Sequence, residues 1–263
     1  MAAVNPPEHP RPVDRARQVL AGVLAEARER LPHDGEDPSV PVAGTVVLLR
    51  DGERGPEVLL LERPDRGSFA GAWVFPGGKR EDADAAEDGS EEGAARRAAV
   101  RETFEEAGLV VDLDSLWALS CWDPPPGLPL RIRTWFFVAR AGDGSLALSA
   151  DEAVDARWLR PEDVLERHAG GEVTLYPPTW VTLHTLAGKR DVDALVAMLR
   201  RKGFRRYETI ARQGPAGPLL LWQEDAEYRL DGGESDRAAD PARHRLEIGE
   251  LPWIYTAPDP ASG

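Results

Sequence analysis

Cysteine is almost missing from this chain: Cys121 is the only one among 263 residues. A single thiol excludes an intrachain disulfide and any multi-cysteine metal cluster, and it suits a reducing interior. Its neighbours Leu119, Ser120 and Trp122 mark Cys121 as a small buried residue rather than a nucleophile. Long apolar runs are missing as well. No stretch approaches the roughly 20 residues that a membrane-spanning helix needs, and residues 1–12 show no basic segment followed by an apolar core. A soluble, cytoplasmic protein without a membrane partner is expected. Positive charge is also short, since 32 Lys and Arg face 46 Asp and Glu and leave a net charge of -14. That field opposes the sequence-independent attraction on which nucleic-acid binders rely, so no nucleic acid is expected as a partner. A small anionic ligand would need local help from arginine, lysine or metal.

What the chain does have is acid gathered in one place. A helix is expected up to Gly108, with Ser90 as its N-cap, Glu91 and Glu92 in the first turn where the dipole favours negative charge, and Gly108 as a left-handed stop. At about 100° per residue, Glu102, Glu105 and Glu106 share one face, while Val100, Phe104 and Ala107 form an opposite face expected to dock. Like charges one turn apart destabilise a helix. The bland reading is a solvated acidic face; the sharper one is a hard divalent cation, most naturally Mg²⁺ with Mn²⁺ as the alternative, held by Glu102, Glu105 and Glu106. Arg101, four residues before Glu105, can hold one carboxylate in position.

The residues upstream favour a site. Gly77 and Gly78 let the backbone turn tightly and approach a ligand without a β-carbon, and Lys79 and Arg80 set positive charge beside the acidic helix. Arg63, close in sequence to this loop, is a candidate phosphate contact. Trp73 and Phe75 alternate with Val74 ahead of Pro76, so one face of the segment is expected in the core and the other, with Phe75, along the pocket.

Arg101-Glu102-Thr103-Phe104-Glu105-Glu106-Ala107-Gly108-Leu109, with Gly78 ahead of it, resembles the signature of the Nudix hydrolases. That signature runs Gly, five residues, Glu, seven residues, then Arg-Glu-U-x-Glu-Glu-x-Gly-U, where U is a bulky aliphatic. Two features depart from it: the smaller Thr103 stands at the first U, and 23 positions separate Gly78 from Arg101 where the signature has 14. Counting forward from Gly78 puts Asp84 at the first acidic position; counting back from Arg101 puts Gly93 there. The resemblance implies an α/β fold, a Nudix-type α/β/α sandwich with a mixed sheet, decorated by N- and C-terminal extensions. It implies Mg-dependent cleavage of a phosphoanhydride bond in a nucleoside diphosphate linked to another moiety, of coenzyme A or acyl-coenzyme A type, or a nucleotide sugar or dinucleotide. The alternative is a catalytically silent nucleotide-binding sensor. Family members often place a further acid ahead of the strand equivalent to the one carrying Trp158. Glu152 is the choice for that base, with Asp155 as its rival and Glu102 as the second candidate. A homodimer is the oligomer the family suggests.

The remaining chain divides into an N-terminal extension (1–39), a hydrolase domain (40–202) and a C-terminal extension (203–263). Residues 1–12 read as loose, 13–31 as an accessory helix and 32–39 as a linker. Strands are expected over 40–49, 57–61, 116–122 and 131–139. Residues 81–89 read as a solvated inserted loop, with a lid or an extra metal ligand as the alternative. Helices are expected after Pro161, through Leu186 after the lead-in stretch 175–180, and over 191–202; His168, near the end of the first, is read as complementing its dipole. Trp122 and Trp135 read as core, with base stacking as the rival. The tail reads as a wrap over the core or a dimer contact, with Gly232 and Gly233 flexible. The run from Thr134 to Ala139, together with Pro177-Pro178-Thr179, is similar to a Nudix subgroup that carries an insertion before its Arg-Glu pair and includes peroxisomal acyl-coenzyme A hydrolases.

Overall fold

The computed structural model describes residues 12–66, 69–149, 152–228 and 242–258. Two nearly unbroken aliphatic runs form β1 (Val42–Gly52) and β2 (Gly55–Glu62), joined by a tight turn into a hairpin. Such runs suit strands covered on both faces. Further along come β3 (Trp73–Val74), β4 (Gly77–Lys79), helix α1 (Pro12–Ala25) at the N-terminal side and the acid-bearing helix α2 (Glu91–Ala107). Strands β5 (Trp117–Asp123), β6 (Arg133–Arg140) and β7 (Asp155–Leu159) follow. Three helices come next: α3 (Pro161–Ala169), α4 (Pro177–Leu186) and α5 (Val192–Lys202). Strand β8 (Arg205–Glu208) then completes the main sheet.

That sheet is mixed, in the order β3-β2-β1-β6-β5-β8, with β4 on β1 and β7 on β2. β6 runs parallel to β1 and β8 parallel to β5; the other pairs are antiparallel. Strand β2 pairs with β1 only between Leu49 and Gly52 and then turns aside to β7 and β3, while β4 takes its place beside Ala43, Gly44 and Thr45. Alternation along the strands builds two cores. Val46, Leu48, Trp135 and Phe137 pack beneath α2, and Val47, Leu49, Phe136 and Val138 pack against α3, α4 and α5. The α/β/α sandwich expected from the sequence is what forms.

The tail adds a second antiparallel sheet from β9 (Ile210–Gly214), β10 (Gly217–Leu221), β11 (Arg245–Glu247) and β12 (Ile254–Thr256). Its Trp222, Leu246, Ile248 and Trp253 join the core that lies opposite α2. Trp122 is buried there, stacked on Tyr207 at 3.8 Å and meeting Trp222 edge-on, so it is a core residue. Trp135 is buried as well, its indole N–H donating to Glu91 at 2.8 Å.

Several expectations need correction. The N-terminal helix stops at Ala25 rather than running to Leu31, because the chain turns there and the Arg28 amide donates to the Pro126 carbonyl at 2.9 Å. Residues 32–39 are not a loose linker. They contain a short 3₁₀ turn whose Asp34 is buried, bound by Arg28 and capping the Leu31 amide at 2.6 Å. Helix α2 docks through Ala94, Ala95, Ala98, Ala99, Thr103 and Ala107, whereas Phe104 is 57% exposed. Residues 81–89 are only partly solvated, since Asp84 is buried in a 3₁₀ turn. His168 is buried edge-on against Trp253. Residues 1–11 and the Gly232–Gly233 pair lie outside the described residues. Among the described residues, no helix is long and apolar enough to cross a membrane.

Candidate active site

The acidic helix sits where it does because two glycines let it. A β-carbon on Gly44 of β1 would lie 1.8 Å from the Ala95 carbonyl oxygen, so α2 can lie this close to the sheet only above a glycine. Ser90 caps the helix, its hydroxyl accepting from the Gly93 amide at 3.0 Å, and Gly108 closes it with φ 69°. These anchors turn the Glu102 and Glu106 side of α2 towards β4.

Gly77 has φ 153°, and a β-carbon there would meet the Gly44 carbonyl oxygen at 2.3 Å. Its amide instead donates to Glu106 Oε2 at 2.9 Å. Arg63, at the end of β2, donates to the other oxygen of Glu106 at 2.8 Å. Glu106 is only 2% exposed, and burial pushes its carboxyl up to about 7. The Gly77 amide and the Arg63 guanidinium act in the opposite direction, while Glu102 and Glu152 add to the rise. Glu102 is raised for the same first reason, burial, offset by Arg101.

Glu152 arrives from the far side of the sheet connection. The Ala147 and Ser149 amides donate to the Ala107 and Glu106 carbonyls that end α2, and the Val154 amide donates to the Glu62 carbonyl that ends β2. Glu152 is thereby suspended between helix and strand. One oxygen each from Glu102, Glu106 and Glu152 lies within 4.8 Å of the others, and Glu152 Oε2 is buried without a hydrogen-bond partner. Three crowded carboxylates with an orphaned buried oxygen are a donor set that fits a hard divalent cation.

Arg101 organises the rim. It donates to Asp84 at 3.0 and 3.2 Å, to Glu102 at 3.0 Å, to Glu105 at 2.8 Å and to the Lys79 carbonyl at 3.0 Å. Its pKa is raised by this acidic company, the Asp84 hydrogen bonds foremost. The count forward from Gly78 is therefore the one the geometry follows: Asp84 faces Arg101, and the extra residues lie between them. The structure does not bring all predicted residues together. Glu105 is held outward by Arg101 and stands apart from the three-carboxylate group. Phe75 is buried edge-on against Phe136 on the opposite face, and the side chains of Lys79 and Arg80 are exposed. Asp155 binds Arg157 and its own strand. Sequence reasoning missed Gly44 and the 147–149 clasp, neither of which carries a local signal. Cys121 is buried and its thiol is pushed up to about 12 by desolvation, as befits an inert core residue.

The comparisons fit this geometry. The family model of the NUDIX domain matches residues 40–177, more than half of the chain. A Nudix hydrolase from Alicyclobacillus acidocaldarius is 26% identical, with a TM-score of 0.52 over 56% of this chain and 90% of that one. A MutT Nudix hydrolase from Burkholderia pseudomallei is 23% identical, with a TM-score of 0.43 over 56% of this chain and 97% of that one. The matched residues begin at the strand that seats α2 and take in Arg63, Gly77, Gly78, Glu102, Glu106 and Glu152; the chain belongs to the Nudix family, and is a Nudix diphosphate hydrolase.

Proposed function

We propose that this hydrolase cleaves a phosphoanhydride bond in a nucleoside diphosphate linked to another moiety. The observation that carries the reading is the convergence of Glu102, Glu106 and Glu152 beside the Gly77–Gly78 turn. These three would hold a divalent cation, Mg²⁺ or Mn²⁺; Glu105, the third ligand read from the sequence, is turned to Arg101. When bound, such a cation neutralises diphosphate charge and polarises the phosphoryl oxygens. Glu152 is the base that accepts the proton of the attacking water, with Glu102 as its rival for that role. Arg63 already rests on Glu106 and is placed to move to a substrate phosphate, while Lys79 and Arg80 extend positive charge along the same rim. Arg101 positions Glu102 and Glu105.

Within this reading the other moiety is of coenzyme A or acyl-coenzyme A type, on the sequence similarity of the inserted signature and Pro177-Pro178-Thr179, or a nucleotide sugar or dinucleotide. The protein works in a reducing cytoplasm, in keeping with its lone buried thiol, and as a homodimer. Residues 1–39 and 203–263 act as extensions of a 40–202 catalytic domain. A panel of coenzyme A, nucleotide-sugar and dinucleotide substrates with Mg²⁺, read by mass identification of products, tests the chemistry. Glu106→Gln keeps the size but removes the charge, and should lower turnover by on the order of a thousandfold. Near-normal turnover in that variant would refute the assignment.

A further inference from the structure

Two arginines touch the carboxylate group, and they are held in different ways. Arg101 donates to Asp84, Glu102, Glu105 and the Lys79 carbonyl at once. A guanidinium with its donors spread over four partners cannot leave one of them without straining the rest. Arg63 has no such set. Its side chain is 33% exposed and, among the described residues, makes one hydrogen bond, the 2.8 Å contact to Glu106 Oε1.

The backbone beneath Arg63 is fixed. Its amide donates to the Ala72 carbonyl at 2.9 Å, and the neighbouring Glu62 carbonyl accepts from the Val154 amide at 2.8 Å. Only the long side chain is left to move. Glu106 cannot follow it, being 2% exposed and tied through Oε2 to the Gly77 amide at 2.9 Å. The counter-ion of a buried carboxylate that belongs to the three-carboxylate group is therefore a single cation on a flexible stem, open to solvent on one side. A divalent ion on Glu102, Glu106 and Glu152 carries twice the charge of that guanidinium and repels it at close range. Arg63 can yield to solvent, whereas Arg101 stays with its acids.

We propose that Arg63 is an exchangeable counter-ion, which neutralises Glu106 until a divalent cation binds the three carboxylates, is displaced by that charge, and then grips the substrate diphosphate. The inference deepens the hydrolase reading above and rests on it for the cation and for the diphosphate. Metal thereby loads before substrate is gripped, and one side chain couples the two bindings. A planar fork of donors suits the second half of the exchange, since it matches phosphate oxygens as well as carboxylate oxygens.

The test begins with Mn²⁺ alone, counted by the electron paramagnetic resonance of the unbound ion, on wild type, Arg63→Gln, Arg63→Lys and Glu106→Gln. Each variant is accompanied by its thermal unfolding curve, and the titration is run at pH 8.5 so that protons do not compete for the carboxylates. Coupling between two ligands is typically about 5- to 150-fold. Arg63→Gln should bind Mn²⁺ at least about fivefold more tightly than wild type, because nothing has to be displaced, and Arg63→Lys, which keeps the charge, should stay within a small factor. With Mn²⁺ present, calorimetry should show the α,β-methylene analogue of ADP binding at least about fivefold more weakly to Arg63→Gln. Crystals of the wild type need no variant: grown with EDTA they should keep the Arg63–Glu106 contact, and grown with Mn²⁺ they should lose it. Equal or weaker Mn²⁺ binding in Arg63→Gln, a contact that survives with Mn²⁺ bound, or nucleotide affinity indifferent to Arg63 overturns the exchange and leaves the hydrolase standing. Wild type and Glu106→Gln binding Mn²⁺ alike would instead remove the ion from these carboxylates, and both readings fall.

Discussion

Gly78→Ala should disable the site without harming the fold. Gly78 does not have a positive φ, so alanine fits its backbone, and the substitution removes unfolded-state freedom worth about 0.4–1 kcal/mol in favour of the folded chain. The new β-carbon, however, would stand 2.2 Å from Cδ and Oε1 of Glu102 and 2.6 Å from its Oε2. Carbon atoms rest about 3.5 Å apart, so the carboxylate must retreat by roughly 1.3 Å, and it can do so because it is the free end of a flexible side chain. A displacement of about 1 Å costs on the order of a hundredfold in rate when the displaced group belongs to the reacting constellation. We expect kcat/KM to fall about a hundredfold, the Mg²⁺ concentration for half-activity to rise, and Tm to hold or increase. In a Glu102→Ala background the clash is gone, and Gly78→Ala should then cost nothing further, a coupling that a double-mutant cycle measures. Gly44→Ala is the contrasting case. Its β-carbon would lie 1.8 Å from a backbone carbonyl of α2, which cannot swing away, so that variant should lose its fold. Wild-type kcat/KM and Mg²⁺ dependence in Gly78→Ala would refute the role given to Glu102.

Two further outcomes follow from buried groups away from the carboxylates. Arg28 and the Leu31 amide hold the Asp34 carboxyl at about 2, below its usual 3.8, so the contact contributes stability above about pH 4 that is lost as pH falls towards 2. Asp34→Asn should lower the urea midpoint at pH 6, and the gap to wild type should close on acidification; a gap that persists at pH 2 would contradict the pairing. Cys121 should resist aromatic disulfide reagents in the native protein and react fully in guanidinium chloride, because its thiol is buried and pushed up to about 12.

The parts of the fold that were legible in the sequence are those whose causes are local. Ser90 and Gly108 bracket α2 because a cap and a left-handed stop act on adjacent backbone groups. The rotation of α2 about its axis was not legible, and the face first assigned to docking proved wrong at Phe104. Alanine carries little periodic signal, yet Ala95 and Ala99 are what fit against Gly44, a contact between residues some fifty positions apart. That rotation also buries Glu106, which as sequence read as outward-facing. The position of Asp84 could not be fixed by counting, because the insertion shifts one count or the other; distances to Arg101 decide it. The stretch around Asp34 has linker composition, and its order comes from an ion pair with Arg28 and from Arg131 and Arg206 donating to the Asp34 and Gly35 carbonyls, none of them visible in composition.

The carboxylate cluster is a cost that the metal-free fold bears, and this yields a stability signature independent of turnover. Three acidic oxygens within 4.8 Å repel one another, by at least about 3.5 kcal/mol per fully ionised pair at an effective dielectric constant near 20. Arg63 and Arg101 offset part of this through Glu106 and Glu102, but Glu152 Oε2 has no such partner. Glu152→Gln removes one of the repelling charges and gives the buried position an amide able to donate to Glu102 or Glu106. Without divalent ions the variant should therefore be more stable than wild type, by about 1–2 kcal/mol, which for a chain of this size is roughly 2–8 °C in Tm. Adding Mg²⁺ should reverse the order: wild type gains stability by mass action, and the variant, having lost a ligand, gains little. Differential scanning calorimetry with EDTA and with Mg²⁺ reads both arms. A metal-free Glu152→Gln less stable than wild type would mean that Glu152 is held by structure rather than poised for a cation, and an undiminished Mg²⁺ response would remove it from the donor set.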